Sequence, residues 1–358
     1  MGGQKGVAHF YHYLSNHCSV VLALSKENEI EKTYPFQLHP FLFNHWVGFL
    51  NIIYIPSLIK LIKQEKIDII ILEHSYFGWL GFLLRYFTGK PFIIHSHNLE
   101  FERFKMAGRK WWKMYAAYEK WVHKKANHIF YKCEEDAAAF LQLLPATHPS
   151  YSIITYGTHL EKAPTHQEQL AARKWIEQYH NISTNHLIFL LNGTMNYAPN
   201  KNAANIIIEQ IIPLLQKEKL AYTIIFCGSG FTESFMQLAD NIPEIIIAGY
   251  VPDIDMYLKG CTAFIQPSAL ATGIKTKLVE ALANNLTVIT TESGARGLQN
   301  NYLTNKMSIV EDNNIEKFIH QMKSVALDDS HSINTLFFEN FYWNNIAHKA
   351  YLSLLQLL

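Results

Sequence analysis

Short apolar runs rich in isoleucine, leucine and valine alternate with helical patterns along almost the whole chain. In the first half these runs are 19–24, 68–72, 91–95, 128–131 and 152–155. In the second half they are 187–191, 223–227, 244–248, 263–266, 287–290 and 308–310. Continuous apolar strands separated by helices are typical of parallel sheets that are covered on both faces. The sequence therefore predicts an α/β protein with doubly wound sheets.

The length of the chain, 358 residues, favours two domains. A hydrophobic fraction of 49% provides enough apolar material for two cores. We place the first domain at 1–165, the second at 166–335, and a C-terminal helix that packs back across both at 336–358. Two Rossmann-like domains that face one another would hold ligands in the cleft between them, at the carboxyl ends of their strands.

The charge balance and the positions of the cysteines exclude some classes of protein. The 31 basic residues are nearly balanced by 30 acidic ones, which argues against a general nucleic-acid binder. Four cysteines lie singly in or beside apolar runs, as reduced thiols of a cytosolic protein do. The longest apolar stretch, Trp46 to Ile59, is interrupted by polar residues and proline, so we predict no transmembrane helix. The N-terminus is glycine-rich and polar, unlike a signal peptide.

The segment from Gln266 to Ala283 reads as a strand end, a turn and a helix. A helix N-terminus has unpaired N–H groups and suits a phosphate, and a glycine in the turn lets a ligand approach the backbone. Lys275 and Lys277 would add positive charge at this point, and Glu280 would accept hydrogen bonds from a ribose diol. The alternative is an ordinary strand–helix unit in which Lys277 and Glu280 form an ion pair.

Other apolar strands end in similar polar turns. The turns begin at Asn192, Cys227, Gly249 and Thr291. Each alone is a weak signal, because βα turns use glycine, asparagine and aspartate for turn geometry. The Gly228-Ser-Gly230 turn also lacks the third glycine of a dinucleotide-binding fingerprint.

Taken in order, five segments resemble the donor-binding half of retaining glycosyltransferase family 4, the group 1 glycosyltransferases with a GT-B fold. The segments are NGTMNYAPN, IIFCGSG, IIIAGYVPD, FIQPSALATGIKTKLVEALA and VITTESGARGL. The N-terminal segments GGQKG and PFIIHSHNLEFERF are similar to elements of the same family. The resemblance covers nearly the whole chain. It implies that 1–165 is the acceptor-side domain and that 166–335 binds a nucleotide-sugar donor.

The resemblance also implies roles for individual residues. Glu280 matches a glutamate that binds the donor ribose hydroxyls. Gly273, Ile274 and Lys275 match a loop that meets the diphosphate and the transferred sugar. Val251 matches a position that holds the nucleotide base through its backbone.

In the N-terminal half, Gly3 belongs to a glycine loop that would approach the diphosphate from the opposite domain, and His97 would lie beside the sugar and the acceptor. The catalytic residues implied are His97, Lys275 and Glu280. The other donor-binding residues implied are Asn192, Gly193, Gly228, Thr272 and Lys277.

The implied activity is transfer of a sugar, with retention, from a nucleoside-diphosphate sugar to a glycan or lipid-linked acceptor in bacterial surface polysaccharide synthesis. Lys275 and the helix N-terminus would supply the positive field, so no metal and no other cofactor is expected. The expected location is the cytoplasm, at the inner face of the membrane if peripheral contact occurs. Two alternatives stay open: a nucleotide-sugar epimerase of the GT-B fold, and a degenerate protein that binds a nucleotide sugar without turnover.

The sequence departs from the family pattern at two places. Thr272 stands where the family has a first glutamate, eight residues before Glu280. The first strand of the family, which lies mid-sheet and precedes the glycine loop, has no counterpart, because Gly2 follows Met1 directly. A missing central strand leaves unpaired backbone edges. We therefore expect that the chain is truncated by a misassigned start.

Two further patterns each allow both a purely structural and a functional interpretation. His95 and His97 would share one face of a strand and could bind a metal, but the sequence shows no cysteine or carboxylate set nearby, so we predict hydrogen-bonded histidines. The basic and aromatic segment Arg109–Lys125 fits a helix at a membrane surface. It also fits an amphipathic helix that buries Trp111, Tyr115, Tyr118 and Val122 on the sheet, which we favour.

Overall fold

The computed structural model describes residues 2–28, 33–143, 149–270, 273–298, 303, 305–325 and 331–358. The chain divides into two compact units. Unit 1 consists of Met1–Gly157 and Trp343–Leu358, and unit 2 consists of Thr158–Tyr342. Each unit is built from parallel strands and helices, as the alternation of apolar runs predicts.

The part of unit 1 that the structure describes contains six parallel strands in two sheets. They are β1 (Val21–Ser25), β2 (Gln37–Leu42), β3 (Ile70–Glu73), β4 (Phe92–Ser96), β5 (His128–Tyr131) and β6 (Ser150–Ile153). β1 pairs with β2, and β3 to β6 pair in chain order. In the described part of unit 1, β1 and β3 do not pair with each other.

The first six α-helices belong to unit 1. They are α1 (Gly2–Leu14), α2 (Ile55–Gln64), α3 (Gly78–Thr88), α4 (Glu100–Met106), α5 (Trp112–Lys125) and α6 (Glu134–Gln142). Two 3-10 helices, His45–Tyr54 and Ser75–Phe77, precede α2 and α3. The core lies where β4 and β5, buried at every position, pack against α5 and α6. Burial of each large apolar side chain there contributes about 1.5–3 kcal/mol.

Among its described residues, unit 2 has a six-stranded parallel sheet with the order β12-β11-β10-β7-β8-β9. The strands are β7 (Leu187–Asn192), β8 (Tyr222–Cys227), β9 (Ile245–Gly249), β10 (Ala263–Gln266), β11 (Thr287–Thr291) and β12 (Met307–Val310). The chain runs outward from β7 to β9 and then returns to the other side of β7 with β10. A ligand binds at such a switch point, outside the carboxyl ends of the strands. In this sheet the switch point lies between β7 and β10.

The remaining helices complete the chain. They are α7 (His166–His180), α8 (Ala198–Ile206), α9 (Ile212–Leu215), α10 (Glu233–Asp240), α11 (Ile254–Gly260), α12 (Thr276–Ala283), α13 (Ile315–Ser324), α14 (Thr335–Phe341) and α15 (Trp343–Leu355). A π-helical turn, Ile207–Ile211, joins α8 to α9. α7 begins with a capping box in which Thr165 and Glu168 satisfy each other's backbone N–H groups. α15 returns to unit 1 and packs against α1.

The N-terminal glycine segment is helical, which corrects the predicted glycine loop. α1 begins at Gly2, so Gly3 lies in its first turn. Glycine disfavours a helix by about 1 kcal/mol relative to alanine. Packing prevails because Phe10, Tyr11 and Leu14 are buried and fix the helix from its C-terminal half.

The apolar stretch noted in the sequence overlaps a candidate membrane span. Among the described residues, Val47–Gln64 is a helical stretch long and apolar enough, by length and composition, to cross a membrane. Only 28% of this stretch is buried in unit 1. It contains the exposed side chains of Phe49, Ile52 and Ile53.

Candidate active site

Three glycine turns meet at the carboxyl edge of the unit 2 sheet. The amide of Gly193 donates to the carbonyl oxygen of Cys227 (2.7 Å), and the amide of Gly228 donates to that of Gly249 (2.6 Å). Gly193 and Gly228 have φ of 141° and 138°, a region that favours glycine. A Cβ on Gly228 would lie 1.9 Å from the carbonyl oxygen of Gly193. The turns after β7 and β8 therefore pack as bare backbone and require glycine.

Helix α12 begins beside these turns. Gly273, with φ of 63°, precedes it, and Lys275 is its N-cap residue without a side-chain cap hydrogen bond. The N–H groups of the first turn of a helix suit an anion. Lys277 lies in this turn and donates to the main-chain carbonyl oxygen of Asn192 at the end of β7. α12 thereby joins the two strands of the switch point.

Two ammonium groups are half-buried at this helix terminus. Lys275 donates to the carbonyl oxygen of Leu270 (3.1 Å) and lies 6.0 Å from the ring centre of Tyr197. Burial lowers the pKa of Lys275 to about 8. Burial also lowers the pKa of Lys277 to about 8, against the opposing effect of the Glu280 carboxylate. Both groups stay mostly charged at neutral pH, so the site favours an anionic ligand.

Hydrogen bonds from neighbouring elements fix the loop after β10. Ser268 Oγ donates to Asn202 Oδ1 on α8 (2.7 Å) and accepts from the amide of Leu270 (3.2 Å). Thr291 Oγ1, at the end of β11, donates to the carbonyl oxygen of Ser268 (3.2 Å). The start of this loop, at Ser268, is therefore held from both α8 and β11.

The structure brings most of the predicted donor-binding residues to one edge of unit 2. They are Asn192, Gly193, Gly228, Val251, Gly273, Ile274, Lys275, Lys277 and Glu280. Val251 is half-buried two residues after β9, and Glu280 is half-buried on α12. Thr272 lies outside the described residues, and Gly3 and His97 belong to unit 1.

A second polar cluster lies in unit 1, where β3 and β4 end. Glu73 accepts hydrogen bonds from His95 Nδ1 (3.0 Å), from His97 Nε2 and from the Tyr11 hydroxyl (2.7 Å). His95 is fully buried, and the His97 side chain is 12% exposed. His97 is therefore the imidazole of this pair that a ligand can reach.

The electrostatics of the cluster keep a negative carboxylate beside neutral imidazoles. Burial lowers the pKa of His97 to about 3 and also lowers that of His95. Burial raises the pKa of Glu73, but the two histidines and their hydrogen bonds outweigh it and hold this pKa well below its usual range. The ammonium of Lys132 is buried near Glu73, and burial lowers its pKa to about 8.

A network continues from His97 toward α4. The His74 ring stacks on the His97 ring, with ring centres 4.3 Å apart, and His74 Nδ1 lies 3.1 Å from Glu100 Oε1. Tyr76 and Arg103 each donate to Glu100 at 2.6 Å. His74 has φ of 66°, a strained backbone conformation of the kind found at functional sites. Glu100 is therefore part of a buried network.

Three groups in this cluster have the ligand types of a metal site. The ligand atoms of Glu73, His95 and His97 lie within 4.8 Å of one another. Two imidazoles and a carboxylate are a zinc-binding combination. The neighbouring Lys132 ammonium disfavours a further positive charge at this point. The sequence analysis identified both histidines but not Glu73. The sign of Glu73 in the sequence is a carboxylate at the end of the apolar run IIILE.

Comparison with known proteins agrees with this architecture. A sequence model described as "Glycosyltransferase Family 4" matches residues 2–162, and one described as "Glycosyl transferases group 1" matches residues 186–328. A curated relative, the UDP-Gal:alpha-D-GlcNAc-diphosphoundecaprenol alpha-1,3-galactosyltransferase of Escherichia coli, is 26% identical over 295 residues. That match covers 76% of this chain and 70% of the relative.

Solved structures show the same fold at low sequence identity. Sucrose-phosphate synthase from Thermosynechococcus elongatus is 14% identical with a TM-score of 0.75, over 100% of this chain and 94% of that one. The Anabaena protein HepE, solved with UDP and glucose, is 12% identical with a TM-score of 0.70, over 99% and 97%. Since the two family models match both halves of the chain, the chain belongs to the group 1 glycosyltransferases of family 4, and the solved structures show that it has the GT-B fold.

Proposed function

We propose that this glycosyltransferase moves a hexose, with retention, from a nucleoside-diphosphate sugar to a lipid-linked glycan in bacterial surface polysaccharide synthesis. The observation that carries the proposal is the pair of half-buried ammonium groups, Lys275 and Lys277, at the N-terminus of α12. A diphosphate is the ligand that matches two ammonium groups and a helix N-terminus. HepE was solved with UDP, and the Escherichia coli relative uses a UDP-sugar and a diphosphoundecaprenol-linked acceptor.

In this proposal unit 2 holds the donor. The amides of Gly273 and Ile274 meet the diphosphate and the sugar, and the carboxylate of Glu280 accepts hydrogen bonds from the ribose hydroxyls. The backbone at Val251 contacts the base. The turns at Gly193 and Gly228 pack as bare backbone beside the Lys277 ammonium, because a side chain at either position would collide with other protein atoms.

Departure of the nucleoside diphosphate is the step that these groups assist. Negative charge develops on the leaving phosphate as the bond to the sugar breaks, and fixed positive groups stabilise that charge in the transition state. Lys275, Lys277 and the α12 amides supply this field, so we propose transfer without a metal. A covalent sugar–enzyme intermediate is not part of the scheme.

Unit 1 contributes the acceptor-side residues in this scheme. Because His97 donates through Nε2 to Glu73, its Nδ1 is the acceptor atom of the neutral ring. We propose that Nδ1 accepts a hydrogen bond from a hydroxyl of the transferred sugar or of the acceptor. Gly3 is assigned to the diphosphate on family resemblance.

The test is incubation of the full chain with UDP- and GDP-sugars, with and without a diphosphate-linked lipid acceptor, in the presence and absence of EDTA. Acceptor-dependent release of the nucleoside diphosphate, unchanged by EDTA, and a product whose anomeric configuration matches the donor are expected. Isomerised nucleotide sugar without an acceptor would favour the epimerase. Donor binding without turnover would favour the non-catalytic protein, and loss of turnover in EDTA would contradict metal independence.

A lipid-linked acceptor implies peripheral contact with the cytoplasmic face of the membrane. The exposed face of the α5 region combines Lys110, Lys113 and Lys124 with the apolar side chains of Trp111 and Met114. Trp111 is 43% exposed, which corrects its predicted burial, whereas Val122 is fully buried as predicted. Basic residues interleaved with tryptophan suit an anionic lipid surface.

A further inference from the structure

His74, the residue that follows β3, has an unusual backbone conformation. Its φ of 66° and ψ of 164° fall in a region that is occupied almost entirely by glycine. The amide of His74 donates to the carbonyl oxygen of His95 (2.9 Å), which helps to hold the chain in this conformation. A glycine would make the same backbone bond without the strain. The backbone alone therefore does not account for a histidine at this position.

The imidazole of His74 is oriented by a buried carboxylate. Its Nδ1 lies 3.1 Å from Oε1 of Glu100, whose side chain is 2% exposed. Burial raises the pKa of Glu100, but the hydrogen bond from His74 and the charge of Arg103 outweigh it and lower this pKa to about 2. An ionised carboxylate only accepts hydrogen bonds, so Nδ1 of His74 carries the hydrogen. In the neutral ring, Nε2 is then the acceptor atom.

A second carboxylate fixes both segments that carry this pair. Glu119 on α5 is fully buried and accepts hydrogen bonds from Ser75 Oγ (2.8 Å) and from the amide of Phe101 (3.0 Å). Ser75 follows His74, and Phe101 follows Glu100 in the first turn of α4. Because both segments are tied to one side chain, the imidazole and its carboxylate are held in place before a ligand binds.

The other end of the His74 ring is open to a ligand. The side chain is 32% exposed, and Nε2 makes no hydrogen bond to any residue that the structure describes. Unlike the Nε2 atoms of His95 and His123, it is not enclosed in the protein. The ring stacks on that of His97, with ring centres 4.3 Å apart. A ligand that reaches His97 therefore lies next to His74 as well.

The chemistry of this surface favours hydroxyl groups over anions. Each of the two stacked rings has a carboxylate as its hydrogen-bond partner, Glu73 for His97 and Glu100 for His74. Each neutral ring then presents an unprotonated nitrogen, which accepts a hydrogen bond and donates none. An ionised phosphate or carboxylate has no hydrogen to donate to such a nitrogen, whereas a sugar hydroxyl has one. A sugar with two neighbouring hydroxyls matches the stacked pair.

We propose that His74 is an acceptor-binding residue of the transferase, whose Nε2 accepts a hydrogen bond from a hydroxyl of the acceptor sugar. Glu100 is the positioning residue that fixes the tautomer and the direction of the ring. This inference rests on the proposed function, in which unit 2 holds the donor and unit 1 the acceptor. Since the described contacts of His74 all lie within unit 1, its hydroxyl partner is assigned to the acceptor.

The test uses His74→Asn in the full chain. The amide nitrogen of the new side chain can donate to Glu100 in place of Nδ1, but no atom replaces Nε2. Titration with the acceptor of the Escherichia coli relative, α-D-GlcNAc-diphosphoundecaprenol, in the presence of UDP measures acceptor affinity. We expect this affinity to weaken about 3- to 10-fold, as for one lost hydrogen bond, with UDP affinity and Tm unchanged. His320→Asn, at an exposed position of α13, is the matched control and should change none of these values.

Equal acceptor affinity in His74→Asn and the parent chain would overturn the proposal. Equal weakening of UDP and acceptor affinity would also overturn it, because His74 would then support the site as a whole. Nitrogen-15 spectra of labelled histidine are expected to show the hydrogen of His74 on Nδ1, and a hydrogen on Nε2 would contradict its role as an acceptor. Acceptor binding that depends on His74, without any sugar transfer, would support this inference and refute the proposed function.

Discussion

Lys277 on α12 donates a hydrogen bond to the main-chain carbonyl oxygen of Asn192 at the end of β7. This contact links the switch-point strand to the helix whose N-terminus carries the positive charge. A Cβ on the next residue, Gly193, would lie 1.6 Å from the Lys277 ammonium. The position of this ammonium therefore depends on a glycine elsewhere in the chain.

Replacement of Lys277 is expected to weaken donor binding. A hydrogen bond to a charged group contributes about 1.5–3 kcal/mol, so Lys277→Met should weaken affinity for the nucleoside diphosphate about 10- to 100-fold. Isothermal titration with UDP and GDP measures this change. Lys174→Met removes an exposed lysine from α7 and should leave affinity unchanged. Equal affinity in Lys277→Met and the parent chain would remove Lys277 from the donor site.

The two glycine turns of unit 2 should respond differently to alanine. Gly228→Ala places a methyl group 1.9 Å from the Gly193 carbonyl oxygen, so backbone must shift and the free energy of unfolding should fall by about 3 kcal/mol or more. Gly249 has φ of 68° and open space around its Cβ position. Gly249→Ala should cost about 1–2 kcal/mol, from conformation alone. Urea unfolding compares the two, and a smaller loss for Gly228→Ala would contradict the close packing.

Glu73 acts as a positioning residue for His97 in the proposed mechanism. In Glu73→Gln an –NH2 group, which cannot accept a hydrogen bond, replaces one of the two oxygens that face the imidazoles, so we expect His97 to lose its fixed orientation. For histidines that bind a metal, loss of an orienting partner typically lowers activity about 10- to 100-fold, and we expect a loss of similar size here. We expect this decrease in kcat with donor KM nearly unchanged. Asp68→Asn, an exposed carboxylate just before β3, is the control. A change in KM alone would contradict the positioning role.

Central strands were the most predictable elements of the fold. β5 and β10 have the predicted bounds 128–131 and 263–266, because strands buried on both faces read as uninterrupted apolar runs. β2 was not predicted, since its sequence QLHPFL mixes histidine, proline and apolar residues on a partly exposed strand. Helix α4 was also missed, because its first turn is capped by Glu119, a residue 19 positions away.

The donor loops could be predicted because their motifs follow one another along the chain in the family's order. The cluster of side chains around Glu73 could not be predicted. Glu73 and His95 are register partners on neighbouring strands, and His97 reaches the same carboxylate. Strand pairing brings these residues together from 22 and 24 positions apart. A single sequence shows a lone carboxylate at a strand end and gives no sign of its partner.

Removal of three basic side chains from the α5 region is expected to weaken membrane binding. Each lysine near an anionic surface contributes about 1 kcal/mol, so replacing Lys110, Lys113 and Lys124 with glutamine should weaken vesicle binding about 100-fold. Cosedimentation with phosphatidylglycerol vesicles measures this. The control replaces Lys174, Lys217 and Lys219, which are exposed in unit 2. Unchanged binding of the first variant would exclude this face and leave Phe49, Ile52 and Ile53 as the next surface to test.

Acid should destabilise unit 1 through its buried histidines. The His123 side chain stacks on Phe140, with ring centres 3.9 Å apart, and its Nε2 has no hydrogen-bond partner among the described residues. Burial lowers the pKa of His123 to about 3, whereas an unfolded histidine has a pKa of about 6.5. The unfolded state therefore binds more protons below pH 6.5, and stability is lost as the pH falls from there.

For one such histidine, the loss between pH 7 and pH 5 is about 2 kcal/mol. His123→Phe keeps an aromatic ring against Phe140 and removes the titrating group. We expect the parent chain to lose about 2 kcal/mol more than this variant between these pH values, measured as free energies of unfolding in urea. His320→Asn replaces an exposed histidine on α13 and should lose as much as the parent chain. Equal acid losses in His123→Phe and the parent chain would show that His123 titrates normally in the folded protein.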